Sequence, residues 1–192
     1  DELLYERYWG EHSASSLSNS FSAAKTVVSL LIGIAIDENK IKSIDDKVGD
    51  YLPAFKANGK EKITIRHLLM MSSGLDWEES GKNPLSDNAA SYYGDNLYDL
   101  VIDQNAIKEP GTHFNYQSGN SQLLGYIIET ATGKSLNEYT HINIWDKIGS
   151  TEDAYWSLDR KDGDEKAFCC MYASPRDYAK LGKLISQFGY WN

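Results

Sequence analysis

Ser22 and Lys25 are the two residues best placed in this sequence to do covalent chemistry. They form the run Ser22-Ala-Ala-Lys25 at the start of its most apolar helix-like segment. On a helix, positions i and i+3 share a face, so the Lys25 amine can reach toward the Ser22 hydroxyl, and both lie near the positive end of the helix dipole. A deprotonated amine beside a serine makes the hydroxyl nucleophilic. A lysine of ordinary pKa, about 10.4, is cationic at pH 7, and holding it neutral costs about 4.6 kcal/mol, which burial and the helix end would share. Spacing alone favours a second reading: a serine capping a helix, with a lysine lying along the surface. Other motifs are weaker. Gly119-Asn-Ser-Gln-Leu123 lacks the final glycine of G-x-S-x-G, and neither a glycine-rich phosphate loop nor H-E-x-x-H is present. No metal or other cofactor is therefore implied. His12, His67, His113 and His141 are read as structural or surface residues.

The elements that must position these residues are mostly helical. Between Phe21 and Asn39 apolar residues fall on nearly every face, as in a helix surrounded by protein, with serines at several candidate cap positions and Asp37, Glu38 and Asn39 closing it. Ser43-Ile-Asp-Asp46 resembles a weak capping box before a short helix limited by Pro53. Thr64 opens another helix that Gly74 stops. Gln117 to Thr132 has helical spacing with Gly133 just beyond it, Ser135 to Trp145 continues as a further helix, and Pro175 to Phe188 is the last. Leu3 to Trp9 reads as a strand, and the polar Asp76 to Asn96 segment as a surface loop bordering a site.

Composition bounds the partners. The 192 residues carry 19 basic and 28 acidic side chains, a net charge of −9, which disfavours nucleic acid or an anionic membrane as the main partner. Hydrophobic residues make up 41%, enough for a folded core, and one domain over 1–192 is expected. The longest strongly apolar run, Val27 to Ile36, is too short to span a bilayer. Cys169 and Cys170 are adjacent, a spacing that rarely closes a mutual disulfide, and both are expected to be small packed residues. Trp77, Tyr92, Tyr93 and Trp156 are candidate cleft aromatics, Trp156 being taken as a substrate contact, although an ordinary core or surface role fits each of them better.

Four segments, in order, resemble the serine β-lactamase and penicillin-binding-protein superfamily, in its β-lactamase-related esterase and amidase branch. They are FSAAKTVVSLLIGIAIDENKIKSIDDKVGDYLPAF, ITIRHLLMMSSGLDW, KEPGTHFNYQSGNSQLLGYIIETATGKSL and ASPRDYAKLGKLI. The resemblance implies that Ser22 is the acylated nucleophile, Lys25 its base, and Tyr116 the phenol that relays a proton to the leaving group. Of three Tyr-x-Ser triplets, only that at Tyr116 has the family flanks, Pro110-Gly111 before it and Leu123-Leu124-Gly125 after. The implied fold is the mainly α, helical part of an α/β (α+β) β-lactamase/DD-peptidase-like fold, here with one N-terminal strand.

Two departures matter. Ser118 stands where the family commonly has an asparagine that holds the substrate carbonyl, which resembles the 6-aminohexanoate-dimer-hydrolase branch and makes penicillin a less suitable substrate. The third motif, a Lys-Thr-Gly or His-x-Gly strand that completes the oxyanion hole, is absent from the sequence. The resemblance thus implies a fragment whose C-terminal sheet lies elsewhere. One oxyanion donor is worth about 2.7 to 4 kcal/mol of barrier, so the fragment alone is expected to be a poor catalyst. The expected function is hydrolysis of a small-molecule amide or ester through a Ser22 acyl-enzyme. The alternative is a non-catalytic binding or sensor module of the same fold. The family's usual placement implies export to the periplasm or cell surface.

Overall fold

A computed structural model of the chain describes residues 2–191. Helices dominate it. The order is β1 (Ser18–Asn19), α1 (Ala24–Asp37), α2 (Ile65–Leu69), α3 (Asp87–Tyr93), α4 (Leu97–Ile102), α5 (Ser118–Thr132), α6 (Leu136–Thr140), β2 (Tyr155–Trp156), β3 (Met171–Ala173) and α7 (Pro175–Ser186). Helix α5 packs on α1, α2, α4 and α6 and is the hub of the core. Every residue from Ser118 to Ile128 is buried, polar ones included. The strands form one small antiparallel sheet in the order β1-β3-β2, with Ser18 opposite Ala173 and Trp156 opposite Met171.

Local chemistry accounts for the helix ends. Thr64 caps α2 reciprocally with His67: the Thr64 hydroxyl accepts the His67 N–H, and the Thr64 N–H donates to His67 Nδ1 at 3.1 Å. This gives His67 its structural role, and burial pushes its pKa down. Ser174 caps α7 through the Asp177 N–H, with Pro175 in the first helical position. Gly133 ends α5 in the left-handed conformation at φ 70°, as its place just past the apolar pattern predicts.

Several expectations are corrected. Leu3 to Trp9 forms no strand: among the described residues no neighbouring backbone pairs with it in a ladder, Glu6 meeting Arg176 only through side chains, and Leu3, Leu4, Tyr5 and Trp9 are exposed. The helix-start serines do not cap α1, because a 3-10 turn over Phe21–Ala23 precedes it and its N-cap is Ala23. That helix is also less enclosed than its apolar pattern predicts, with Ser22, Thr26, Ser29 and Gly33 exposed along one side. Asp46 to Lys56 folds as two 3-10 turns rather than a helix. Helix α2 ends at Leu69, before Gly74, because Met71 already adopts a positive φ. The 76–96 segment is no simple loop, since Ser86 caps α3 within it. Cys169 and Cys170 are joined to each other, with both side chains buried; the left-handed backbone at Cys170, φ 66°, turns adjacent side chains to one side.

Candidate active site

Ser22 sits in the 3-10 turn between β1 and α1, and two hydrogen bonds fix that turn. The Ser20 N–H donates to the Met171 carbonyl at 2.8 Å, tying it to β3. The Phe21 N–H donates to Asn19 Oδ1 at 2.8 Å, and Phe21 is held at φ 45°, a conformation that costs a non-glycine residue energy and turns Ser22 outward. Ser22 is consequently exposed. One turn on, Lys25 Nζ lies 3.2 Å from Ser22 Oγ, so the i, i+3 expectation holds although Ser22 is in a 3-10 turn rather than the α-helix.

A second anchor orients the lysine. Its Nζ donates to the Phe168 carbonyl at 2.8 Å, and the amine stands 5.0 Å from the centre of the Tyr116 ring and 5.9 Å from that of Phe168. No carboxylate pairs with it among the described residues. The amine thus donates both to the Phe168 carbonyl and to Ser22 Oγ, which holds it between the backbone of that segment and the serine hydroxyl. The carbonyl of Phe168 is the part of this arrangement that sequence reasoning missed. No motif marks a backbone acceptor supplied from more than a hundred residues away.

Tyr116 enters the same cleft on the segment leading into α5. Its position is set by the backbone bond from the Asn115 N–H to the Met71 carbonyl, 2.8 Å, and by buried Gln117. Gln117 Nε2 donates to the Leu75 carbonyl at 2.8 Å, while the Ser73 hydroxyl lies within reach of both Gln117 Oε1 and Asn120 Oδ1. Gly74 makes this crossing possible: at φ 78° it accepts from Ile107 and Lys108, and a Cβ there would collide with the Lys108 carbonyl. The resulting cleft, about 310 Å³, is lined by Ser22, Lys25, Tyr116, Ser121, Met71 and Leu124, among others.

The two expected substrate contacts fall elsewhere. Ser118 is only 3% exposed, and both its N–H (2.7 Å) and its hydroxyl (2.6 Å) donate to Glu79. That carboxylate also accepts from Trp77 Nε1 at 2.6 Å, so Ser118 and Trp77 belong to a structural knot beneath α5. Trp156 lies in β2 and lines a different recess with Trp145 and Met171. Tyr92 packs edge-on against Phe168, with ring centres 5.3 Å apart. Among the described residues no group of three or more His, Cys, Asp or Glu side chains could hold a metal ion.

The family profile described as beta-lactamase matches residues 1–188, nearly the whole chain. This chain belongs to the β-lactamase family. The 6-aminohexanoate-dimer hydrolase of Paenarthrobacter ureafaciens is 24% identical over 199 residues, spanning 98% of this chain and 50% of that enzyme. A Bacillus anthracis structure described as a 6-aminohexanoate-dimer hydrolase superposes with a TM-score of 0.87 at 28% identity, covering 98% of this chain and 52% of its own. The octameric penicillin-binding protein homologue of Pyrococcus abyssi, at TM-score 0.71 and 21% identity, shares the fold. The chain spans about half the length of the first two. The helical part of the β-lactamase/DD-peptidase fold expected from the sequence is what the structure contains. Within that family fold, Ser22, Lys25 and Tyr116 share one cleft, and Ser118 and Trp156 do not line it.

Proposed function

We propose that this chain carries the nucleophile half of a serine hydrolase that cleaves an amide or ester bond through an acyl-enzyme on Ser22. The observation that supports this most directly is the 3.2 Å contact between Lys25 Nζ and the exposed Ser22 Oγ, with Tyr116 across the amine. In the proposed sequence, Lys25 takes the Ser22 hydroxyl proton as Oγ bonds to the substrate carbonyl carbon. The tetrahedral adduct then collapses, and its leaving amine or alkoxide receives a proton relayed by Tyr116. Water, deprotonated by the same groups, releases the acid and restores Ser22. Phe168 contributes by fixing the lysine rather than by touching substrate.

A linear amide or ester suits the site better than a penicillin. The asparagine that would hold a β-lactam carbonyl is replaced by Ser118, whose hydroxyl is committed to Glu79. The oxyanion donor of the family's third motif is absent from the sequence, so this chain should react with an activated phosphonate far more slowly than a longer form that carries it, by roughly 100- to 1,000-fold.

The test is intact-mass spectrometry after exposure to a fluorophosphonate, on this chain and on a longer form carrying the third motif. One adduct that disappears in Ser22→Ala, with an unchanged circular dichroism spectrum, is the expected result. Labelling that persists in Ser22→Ala would refute the assignment. So would the longer form binding its ligand without ever turning over an amide or ester.

A further inference from the structure

Cys169 and Cys170, the chain's two cysteines, lie outside the Ser22 cleft, yet they stand between two carbonyls that shape it. On one side, the Phe168 carbonyl receives Lys25 Nζ at 2.8 Å. On the other, the Met171 carbonyl receives the Ser20 N–H at 2.8 Å and the Tyr178 hydroxyl at 2.7 Å. One anchor therefore sets the lysine, and the other sets the turn that carries Ser22. Both are backbone atoms, so their relative direction depends on the dihedrals of the two residues between them.

Those two residues are joined through their side chains, and both are buried. Joining adjacent cysteines closes a small ring through the peptide bond that links them, which restricts ψ at Cys169 and φ at Cys170. Cys170 stands at φ 66°, in the left-handed region that a residue with a Cβ adopts only at a cost. Two further backbone bonds meet there. The Cys169 N–H donates to the Lys166 carbonyl at 3.1 Å, and the Cys170 carbonyl accepts the Ser157 N–H at 2.9 Å. Once the ring is opened, no covalent link holds the left-handed turn. Rotation of Cys170 toward the ordinary negative φ swings Met171 relative to Phe168, so the two carbonyls cannot both keep their donors.

We propose that the Cys169–Cys170 disulfide is a positioning element of the Ser22 site and makes the reactivity of that site depend on redox state. Its effect on reactivity rests on the acyl-enzyme reading above; its effect on the turn does not. Reduction breaks the Sγ–Sγ bond: two thiols of a small-molecule reductant couple as their own disulfide, and each cysteine sulfur takes up one hydrogen. The freed thiols touch no substrate. They act on Ser22 and Lys25 through the 168–171 backbone.

The experiment compares this chain oxidised, reduced with dithiothreitol and reoxidised with diamide, alongside the double variant Cys169→Ser, Cys170→Ser, which supplies the open form where the buried disulfide resists the reductant. Alkylation in denaturant followed by intact mass counts the free thiols in each sample. Amide hydrogen exchange at Ser20 and Ser157 reads the turn, and the rate of fluorophosphonate labelling at Ser22 reads the site. Both open forms should exchange Ser20 and Ser157 about tenfold faster than the oxidised chain, with the Ile127 amide in mid-α5 unchanged. Labelling should slow about tenfold, and reoxidation should restore both readouts. Four results would overturn the proposal: two free thiols that diamide does not join, equal exchange at Ser20 in both redox states, equal labelling in both, or an Ile127 amide that accelerates as much as Ser20. The last marks a disulfide that stabilises the whole fold without positioning this site. If Ser22 takes no label in any state while Ser20 exchange still responds, the acyl-enzyme reading fails and the disulfide's hold on the turn stands.

Discussion

Gly125→Ala tests whether the packing of α5 sets the position of the lysine anchor. Gly125 is buried in mid-helix, and a Cβ built on it would stand 2.7 Å from the Ala167 Cβ, where carbon contacts ordinarily begin near 3.4 Å. Something must move by about 0.7 Å, and the Ala167 Cβ, fixed to its backbone, is not the far end of a flexible chain. Ala167 is itself held: its N–H donates to Gln122 Oε1 at 2.8 Å, from the same face of α5. Next to it is Phe168, whose carbonyl receives Lys25 Nζ at 2.8 Å. If the 167–168 segment takes up the whole displacement along that bond, the contact stretches to about 3.5 Å, the limit of a useful hydrogen bond. Overpacking of this kind costs about 1 to 3 kcal/mol, and replacing a helical glycine with alanine returns about 0.8 to 1, so the net destabilisation is about 0 to 2 kcal/mol. Gly33→Ala in α1 supplies the control. Nothing lies within 4 Å of its Cβ, so it should stabilise by about 0.8 to 1 kcal/mol. Urea unfolding of the parent and both variants separates these terms, and the rate of fluorophosphonate labelling at Ser22 reads the lysine anchor. Gly125→Ala should lie below Gly33→Ala in stability by about 1 to 3 kcal/mol and label more slowly. Equal stabilisation by the two alanines, with equal labelling, would refute the reasoning.

Two pH dependences follow from buried Asp177 and half-buried Glu129. Asp177 is fully buried; burial pushes its pKa up, but Lys180, the Ser174 hydroxyl and the N–H groups of Thr151 and Glu152 outweigh this and hold it below the ordinary value. A depressed carboxyl stabilises the fold above its unfolded pKa of about 4, and that stability is lost as pH falls. Asp177→Ala should cost about 3 kcal/mol at pH 7 and flatten the acid limb of a thermal-melting profile; a parallel acid limb in the variant would contradict this. Glu129 behaves oppositely: burial and the neighbouring Glu165 carboxylate push its pKa up to about 7. The folded chain then binds more protons than the unfolded one between about pH 4.5 and 7, so stability falls as pH rises through that window and levels off above it. Glu129→Gln should abolish the slope, and urea midpoints at several pH values that fall equally in parent and variant would count against it.

The contact between Ser22 and Lys25, the proposed nucleophile and base, was readable from sequence because its geometry is local. Ser22 and Lys25 are three positions apart, and both a 3-10 turn and an α-turn bring such positions onto one face. The long helices were legible for the same reason: α5 and α7 declare themselves through apolar spacing, and α5 also through Gly133 just past its end. Tyr116 needed the resemblance, since two other Tyr-x-Ser triplets offer the same residues without the flanks. What tertiary structure alone decided were partnerships between distant segments. Whether Leu3 to Trp9 becomes a strand depends on a neighbour, not on its own propensity. Ser118 reads as a substrate contact until Glu79, far away in sequence, is found to hold its hydroxyl. The carbonyl that orients Lys25 belongs to Phe168, and every residue has a carbonyl, so no side-chain pattern could single it out. The sequence alone determined the candidate reactive groups and the helices beside them. Only the folded chain decided which polar atoms remain free, because that depends on what the packing of remote segments leaves unpaired.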